Sequence, residues 1–283
     1  MNPLFLVTVD CDMRCDSVRL RQQSLDVLLE VFGEFGVDGH ATWYLNENDF
    51  DMTTNHESFL SEALRRGDTL GVHDHLESFD GRYERGPVRD FCRRSKERVE
   101  AWLAANGAAR RIAYHRNGCA LQDATVYGAV QDLGYTVVSE LHPGKSGTDR
   151  ADHPAYDNTQ IPIGIPPYRH DAANFTQVDA CAGAFLHFPL MQMFMKDLDY
   201  ERMDGWMREF ERKHIEPAVL LWVFHPYEII EPYESLERPG ATSIDPRGVE
   251  VLRSHLRKLK SEYGVRFVSV EECAKEIEEQ RSI

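Results

Sequence analysis

Apolar and polar positions follow a strand-then-helix pattern along most of the chain. Residues 4–7 are an uninterrupted apolar run, which predicts a buried strand. From about Ser17, leucines and a phenylalanine recur three and four residues apart, which predicts a helix that ends near Gly33 and Gly36. The pattern then repeats, with further strands predicted at 41–45 and 69–72 and near Ile112, Val137, Phe185, Leu220 and Phe267, and further helices near 59–66, 88–105, 120–133, 200–213 and 248–263.

Alternating strands and helices are typical of an α/β fold built on a parallel sheet. The repeats predict a distorted parallel (β/α) barrel of about seven strands, or eight. No linker or low-complexity tract divides the chain, so we expect a single domain over residues 1–283. The stretch 142–174 is rich in Pro, Gly and Asp; within it, only 160–163 is expected to be extended.

Composition narrows the function classes. With 47 acidic and 32 basic residues, the formal net charge is -15, which disfavours nucleic acid and anionic membranes as partners. The longest apolar run, 218–224, is far shorter than the roughly 20 residues that span a bilayer, and no signal peptide is recognisable. The six cysteines lack paired spacing, which is typical of free thiols. We therefore predict a cytoplasmic protein without a transmembrane helix.

Reactive side chains follow several of the predicted strands. In parallel barrels the chemistry lies at the carboxyl ends of the strands. The residues at these positions are Asp10 and Asp12, then His73, Asp74, His75 and Glu77, then His115 and Arg116, and finally His225. On a strand, residues two apart share a face, so Asp10 and Asp12 project together and repel each other unless a cation binds or one is protonated. Together these residues predict one catalytic edge.

Five segments in this order resemble the polysaccharide deacetylases, the NodB-homology family that is also carbohydrate esterase family 4. The matching segments are TVDCD at 8–12, GVHDH at 71–75, YHR at 114–116, VFHPYE at 223–228 and GVRFVSVE at 264–271. The resemblance covers most of the chain. It implies a NodB-type distorted barrel and a hydrolase that acts on amide bonds as a deacetylase.

The resemblance also implies a role for each matching residue. Asp10 is expected to be the catalytic base, while Asp12 and His73 bind a divalent metal that activates water and polarises the acyl carbonyl. Arg116 is expected to keep Asp10 ionised and oriented. His225 is then the acid that protonates the departing nitrogen.

The chain departs from the family at the second motif. The family places a second histidine four residues after the first, and here that position is Glu77. Either His75 or Glu77 is the third ligand, and we favour His75 because it shares a face with His73 on an extended chain. The expected cofactor is one divalent ion, zinc in the first place, with cobalt, nickel or manganese as alternatives. Near Ser139 no aspartate motif is present to orient Arg116, so Glu140 or His142 is left to compensate.

The expected substrate is a soluble small molecule, an N-acylated amino sugar or a related amide, with Trp43, Tyr114 and Tyr227 as candidate stacking residues. One alternative is a metal-independent hydrolase of a cyclic amide, imide or ureide on the same fold. Another is a barrel without catalysis that binds a carbohydrate or a partner. Asp-x-Asp after a strand also occurs in aspartyl phosphatases and sugar transferases. The phosphatases are expected to have a small hydroxyl residue soon after the pair, where this chain has MRC at 13–15, and the transferases do not explain the histidines at the strand ends. A homo-oligomer is left open.

Overall fold

The computed structural model describes residues 2–12, 15, 17–46, 57–147, 156–178, 182–196, 198–232 and 240–281, with Glu57 and Glu77 described by backbone alone. Its helices are α1 (Val18–Phe35), α2 (Glu57–Arg66), α3 (Arg85–Ala105), α4 (Ala124–Asp132), α5 (Tyr200–Lys213), α6 (Pro246–Ser261) and α7 (Val270–Arg281). Its strands are β1 (Leu4–Asp10), β2 (Thr42–Asn46), β3 (Thr69–Asp74), β4 (Tyr114–Asn117), β5 (Val137–Val138), β6 (Ser146–Gly147), β7 (Tyr156–Asp157), β8 (Tyr168–His170), β9 (Phe185–His187), β10 (Gln192–Met193), β11 (Val219–Phe224) and β12 (Arg266–Phe267).

The chain divides into two units, and the first boundary falls within β3. The first unit comprises Met1–Leu70, Gln192–Tyr200 and Pro217–Ile283, and the second comprises Gly71–Met191 and Glu201–Glu216. The expectation of one domain over 1–283 stays a prediction.

The first unit is built around β1. Its strands follow the order β10-β11-β1-β2-β3, with β12 also paired to β1. The pairs that β1 makes with β2, β11 and β12 are parallel, so these strands end at the same edge of the sheet. Every residue of β1 is buried. Helix α1 begins where the Ser17 side chain accepts a hydrogen bond from Leu20 N, and it ends at Gly36 in the left-handed conformation, φ 73°.

The strands of the second unit follow the order β3-β4-β5-β9-β8. Strands β3, β4, β5 and β9 are parallel neighbours, whereas β8 runs antiparallel to β9. The register between β3 and β4 places His73 opposite Arg116 and Asp74 opposite Asn117. A separate antiparallel pair joins β6 to β7. These pairings bring the histidine and arginine motifs side by side.

The expected α/β class with a predominantly parallel sheet is confirmed. The prediction of an extended stretch at 160–163 is wrong, because the described strands of this region are β6, β7 and β8. Turns occupy 160–163, and Gly164 follows at φ 67°, where an added Cβ would lie 2.4 Å from the Glu209 Cβ. The chain therefore bends here to pass α5. In the described part of the chain, no helix combines the length and apolar character needed to cross a membrane.

Candidate active site

In the first unit, Asp10 and Asp12 lie at the end of β1, and both are buried. The chain turns tightly between them, since the Asp12 amide donates to the Asp10 carbonyl at 2.8 Å. Asn46, at the end of the neighbouring strand β2, donates from Nδ2 to Asp12 Oδ1 at 3.0 Å. This bond helps to fix the orientation of the Asp12 carboxylate.

His225 follows β11 in the same unit, and its ring contacts two aromatic rings and one carboxylate. Tyr227 and Phe194 stack with the imidazole at centroid distances of 4.7 and 5.4 Å. The ring Nδ1 lies 3.1 Å from Glu228 Oε1. Because a carboxylate only accepts, Nδ1 carries the proton in this contact. The Nε2 atom is then the ring nitrogen available for proton transfer.

In the second unit, His73 and His75 lie at the end of β3 with ring centroids 4.7 Å apart and ring planes nearly perpendicular. His73 Nδ1 is 3.1 Å from the carbonyl oxygen of Arg116 on β4. A carbonyl cannot donate, so Nδ1 is the protonated nitrogen, and the lone pair lies on Nε2. Metal-binding histidines are typically oriented by this kind of hydrogen bond.

Gly118 gives the His75 ring its room. A Cβ added at Gly118 would lie 2.6 Å from His75 Nδ1, too close for any real side chain. Cys119 follows in the left-handed conformation, φ 56°, and its Sγ is 4.0 Å from the same nitrogen. Gly118 and Cys119 thus lie directly against a candidate ligand.

Ser139 anchors the guanidinium of Arg116. Its Oγ lies 3.0 Å from Arg116 Nε and 2.8 Å from Nη2. Glu140, suggested from the sequence as a compensating residue, accepts a hydrogen bond from the Asn117 amide through Oε1 at 2.9 Å. Glu140 therefore supports the backbone beside Arg116, whereas Ser139 holds the side chain.

A buried polar network lies on the other face of β3 and β4. Asp74 accepts from Ser95 Oγ at 2.6 Å and from His115 Nε2 at 3.0 Å. Burial raises the pKa of Asp74, but the hydrogen bond and charge of His115 outweigh it, so the net pKa lies below the usual range. Burial raises the pKa of Glu140, which His115 only partly offsets. Asp74, Cys92 and His115 include metal-binding residue types, yet hydrogen bonds between them already account for their proximity.

No family model matches the chain, and no curated protein matches it in sequence. Solved structures do match it. A protein of Mycobacterium smegmatis assigned as a polysaccharide deacetylase superposes with a TM-score of 0.59 at 13% identity, over 99% of this chain and 91% of its own. The Xyl-CE4 domain of a multidomain xylanase from the hindgut metagenome of Trinervitermes trinervoides superposes with a TM-score of 0.51 at 12% identity, over 98% of this chain and 91% of its own. A protein of Bordetella bronchiseptica assigned as a polysaccharide deacetylase in O-antigen biosynthesis superposes with a TM-score of 0.50 at 18% identity, over 89% of this chain and 90% of its own.

The chain has the fold of the polysaccharide deacetylases. The resemblance expected from the sequence motifs is confirmed at this level, and with it the NodB-type fold class. At these identities the comparison establishes the architecture alone. The roles of the individual side chains stay predictions, and the hydrogen bonds described above are what bears on them.

The candidate substrate-binding aromatics differ in their surroundings. Trp43 is fully buried, packs edge-on against Phe59 at 4.7 Å and donates from Nε1 to Asp68 Oδ2 at 2.8 Å, as a core residue does. Tyr227 is buried against His225, and Tyr114 is half-buried on β4. The side chain of Glu77 lies outside what the structure describes, and its backbone belongs to the short 3-10 helix Glu77–Phe79.

Two residues that the polysaccharide deacetylase motifs did not single out support the candidate site. Ser139 could not have been chosen in advance, because a serine after a short strand carries no chemical signal. Glu228 could have been, since His225 and Glu228 have the spacing of a helix-start capping pair, and the Glu228 carboxylate accepts a hydrogen bond from the His225 amide as in that motif.

Proposed function

We propose that this protein is a metal-dependent hydrolase that removes an N-acyl group, N-acetyl in the first place, from a soluble substrate containing an amino sugar. The observation that carries the proposal is the orientation of His73. Its Nδ1 donates to the Arg116 carbonyl, so its Nε2 is the unprotonated nitrogen, and the ring lies 4.7 Å from that of His75. A buried histidine oriented by a carbonyl, beside a second, half-buried histidine, is typical of a metal site.

In this proposal Asp12, His73 and His75 hold one divalent ion, as the resemblance of the sequence motifs implies for Asp12 and His73. One carboxylate and two imidazoles suit zinc, with cobalt, nickel or manganese as alternatives. His75 is proposed as the third ligand in preference to Glu77. When bound, such an ion lowers the pKa of a coordinated water and polarises the acyl carbonyl.

The remaining steps belong to side chains of this chain. Asp10 accepts the proton of the attacking water. Arg116, which Ser139 holds by two hydrogen bonds, is proposed to keep the Asp10 carboxylate ionised and oriented. His225 delivers its Nε2 proton to the nitrogen that leaves, so the amine departs neutral.

The substrate class is an N-acylated amino sugar or a related small amide, with Tyr114, Tyr227 and Trp43 as proposed contacts. Trp43 and Tyr227 are both fully buried, so the half-buried Tyr114 is the favoured one. The proposal includes one domain over 1–283 and a cytoplasmic location. Cys11, Cys15, Cys92, Cys119 and Cys273 are free thiols, which is usual in a reducing compartment.

Elemental mass spectrometry of the purified protein, combined with an assay of acetate release from N-acetylated amino sugars, tests this function. We expect about one divalent ion per chain in the native protein and much less in Asp12→Ala and His73→Ala, with acetate release lost in both variants. Glu231→Gln is a suitable control, because Glu231 is exposed and its carboxylate bonds only Ser243 among the described contacts.

Two results would contradict the proposal. The first is a native protein that holds no metal after incubation with zinc, cobalt or nickel, yet opens cyclic amides or imides. Such a protein would be the metal-independent hydrolase. The second is a protein that binds an N-acetylated sugar but does not hydrolyse it, with or without metal. Such a protein would be a carbohydrate-binding barrel.

A further inference from the structure

Glu228 makes three hydrogen bonds from a nearly fully buried carboxylate. Oε1 accepts from the His225 amide at 2.8 Å and lies 3.1 Å from His225 Nδ1. Oε2 accepts from the Met195 amide at 2.6 Å. One carboxylate thus ties the backbone and ring of His225 to the segment that contains Phe194.

Phe194 depends on the same attachment. It has a left-handed backbone, φ 64°, which a non-glycine residue adopts only when its surroundings impose it. Two contacts impose it here, the bond from Trp222 Nε1 to the Phe194 carbonyl at 3.3 Å and the Met195 amide bond to Glu228. The result is that the Phe194 ring stacks on His225 at 5.4 Å, and Tyr227 stacks on the same imidazole at 4.7 Å.

We infer that Glu228 is the positioning residue of the proposed acid His225: it fixes the imidazole with its proton on Nδ1 and its Nε2 directed away from Glu228, and it holds Phe194 over the ring. The inference rests on the proposed function. Because Nδ1 already donates to a carboxylate, the doubly protonated ring can release only its Nε2 proton without breaking a buried bond.

A positioning role predicts a defect that depends on the leaving group. An amine needs a proton to depart, whereas the phenolate of 4-nitrophenyl acetate leaves without one. Glu228→Gln keeps the size of the side chain but provides one carbonyl oxygen in place of two carboxylate oxygens. We expect it to lower kcat for an N-acetylated amino sugar about 10- to 100-fold, with KM little changed, and to leave 4-nitrophenyl acetate hydrolysis within about twofold of the native value.

The measurement pairs these kinetics with metal content, and it uses Glu231→Gln as the matched control. Equal losses on both substrates would show a general structural defect, and equal rates to the native protein would show that Glu228 does not position the acid. Either result would overturn the inference.

Nuclear magnetic resonance of the imidazole nitrogens separates this inference from the proposed function. In the native protein with a neutral His225, we expect the proton on Nδ1, and we expect Glu228→Gln to give a mixture of both tautomers. This result would support the positioning role even if no N-acylated sugar were hydrolysed. A native ring protonated on Nε2 would overturn it, whatever the activity.

Discussion

Asp10 is the last residue of β1 and Asp12 follows two residues later, yet the proposed mechanism gives them different functions. Asn46 donates to Asp12, the proposed ligand, whereas Asp10 is the proposed base. We expect Asp10→Asn to lose activity about 10²–10⁴-fold while metal content is kept, because the amide cannot act as a base. Asp12→Ala should lose metal and activity together. Near-native acetate release by Asp10→Asn, measured on metal-loaded protein, would exclude this residue as the base.

The His75 ring occupies the space that a side chain at residue 118 would need. Gly118→Ala would place a methyl group where the ring lies, 2.6 Å from Nδ1, so the ring must move. If His75 is a ligand, we expect zinc affinity to fall about 10- to 100-fold in a competition titration with a chromophoric chelator. Gly86→Ala is the matched control, since nothing lies within 4 Å of the added atom. Unchanged affinity in Gly118→Ala would favour Glu77 as the third ligand.

At the scale of elements, the residues at the strand ends could be predicted from the sequence, but the hydrogen bonds that orient them could not. The apolar runs of β1, β3 and β11 and the polar residues after them are visible in the sequence, because a buried parallel strand needs a continuous apolar stretch. The register of β3 with β4 is not visible in the sequence, since it depends on the pairing of two strands that are about 40 residues apart in the chain. Without that register, neither the bond from His73 to the Arg116 carbonyl nor the anchor at Ser139 could be anticipated.

The segment after β5 is joined to the rest of the second unit by a buried histidine. His142 lies with Nε2 3.3 Å from the Met191 carbonyl, so this nitrogen donates. Burial, with the nearby charges of Arg202 and Lys145, lowers the pKa of His142 to about 3. The unfolded chain takes up the proton near pH 6.5 and the folded chain does not, so folding loses stability as pH falls from 6.5 towards 3.

This linkage has a measurable slope. We expect His142 to contribute a loss in the free energy of unfolding of about 1.4 kcal/mol per pH unit below pH 6.5. His142→Gln retains a side-chain donor for the Met191 carbonyl but does not titrate. Urea denaturation of both proteins at pH 7 and pH 5 should therefore show the difference in stability shift by about 2 kcal/mol in favour of the variant. A constant difference would show that His142 titrates normally in the folded chain.

At the scale of the whole molecule, sequence order and spacing predicted more than any single motif did. Five weak motifs in one order predicted the fold that the solved structures share, although overall identity is only 12–18%. Trp43 shows why side-chain roles were harder to predict. An aromatic residue on a strand has the same sequence signature whether it contacts a sugar or packs in a core, and burial decides between these only after folding.

Metal binding should also be visible as stability of the whole chain. A ligand that binds the folded state alone stabilises it by about 4 kcal/mol at a thousandfold excess over its Kd. For a chain of this length, that corresponds to a rise in Tm of about 5–10 °C. We therefore expect a chelator to lower the Tm of the native protein by this amount and zinc to restore it, with no response in His73→Ala. If neither the chelator nor zinc changes the Tm of the native protein, Asp12, His73 and His75 do not hold a metal in the folded chain.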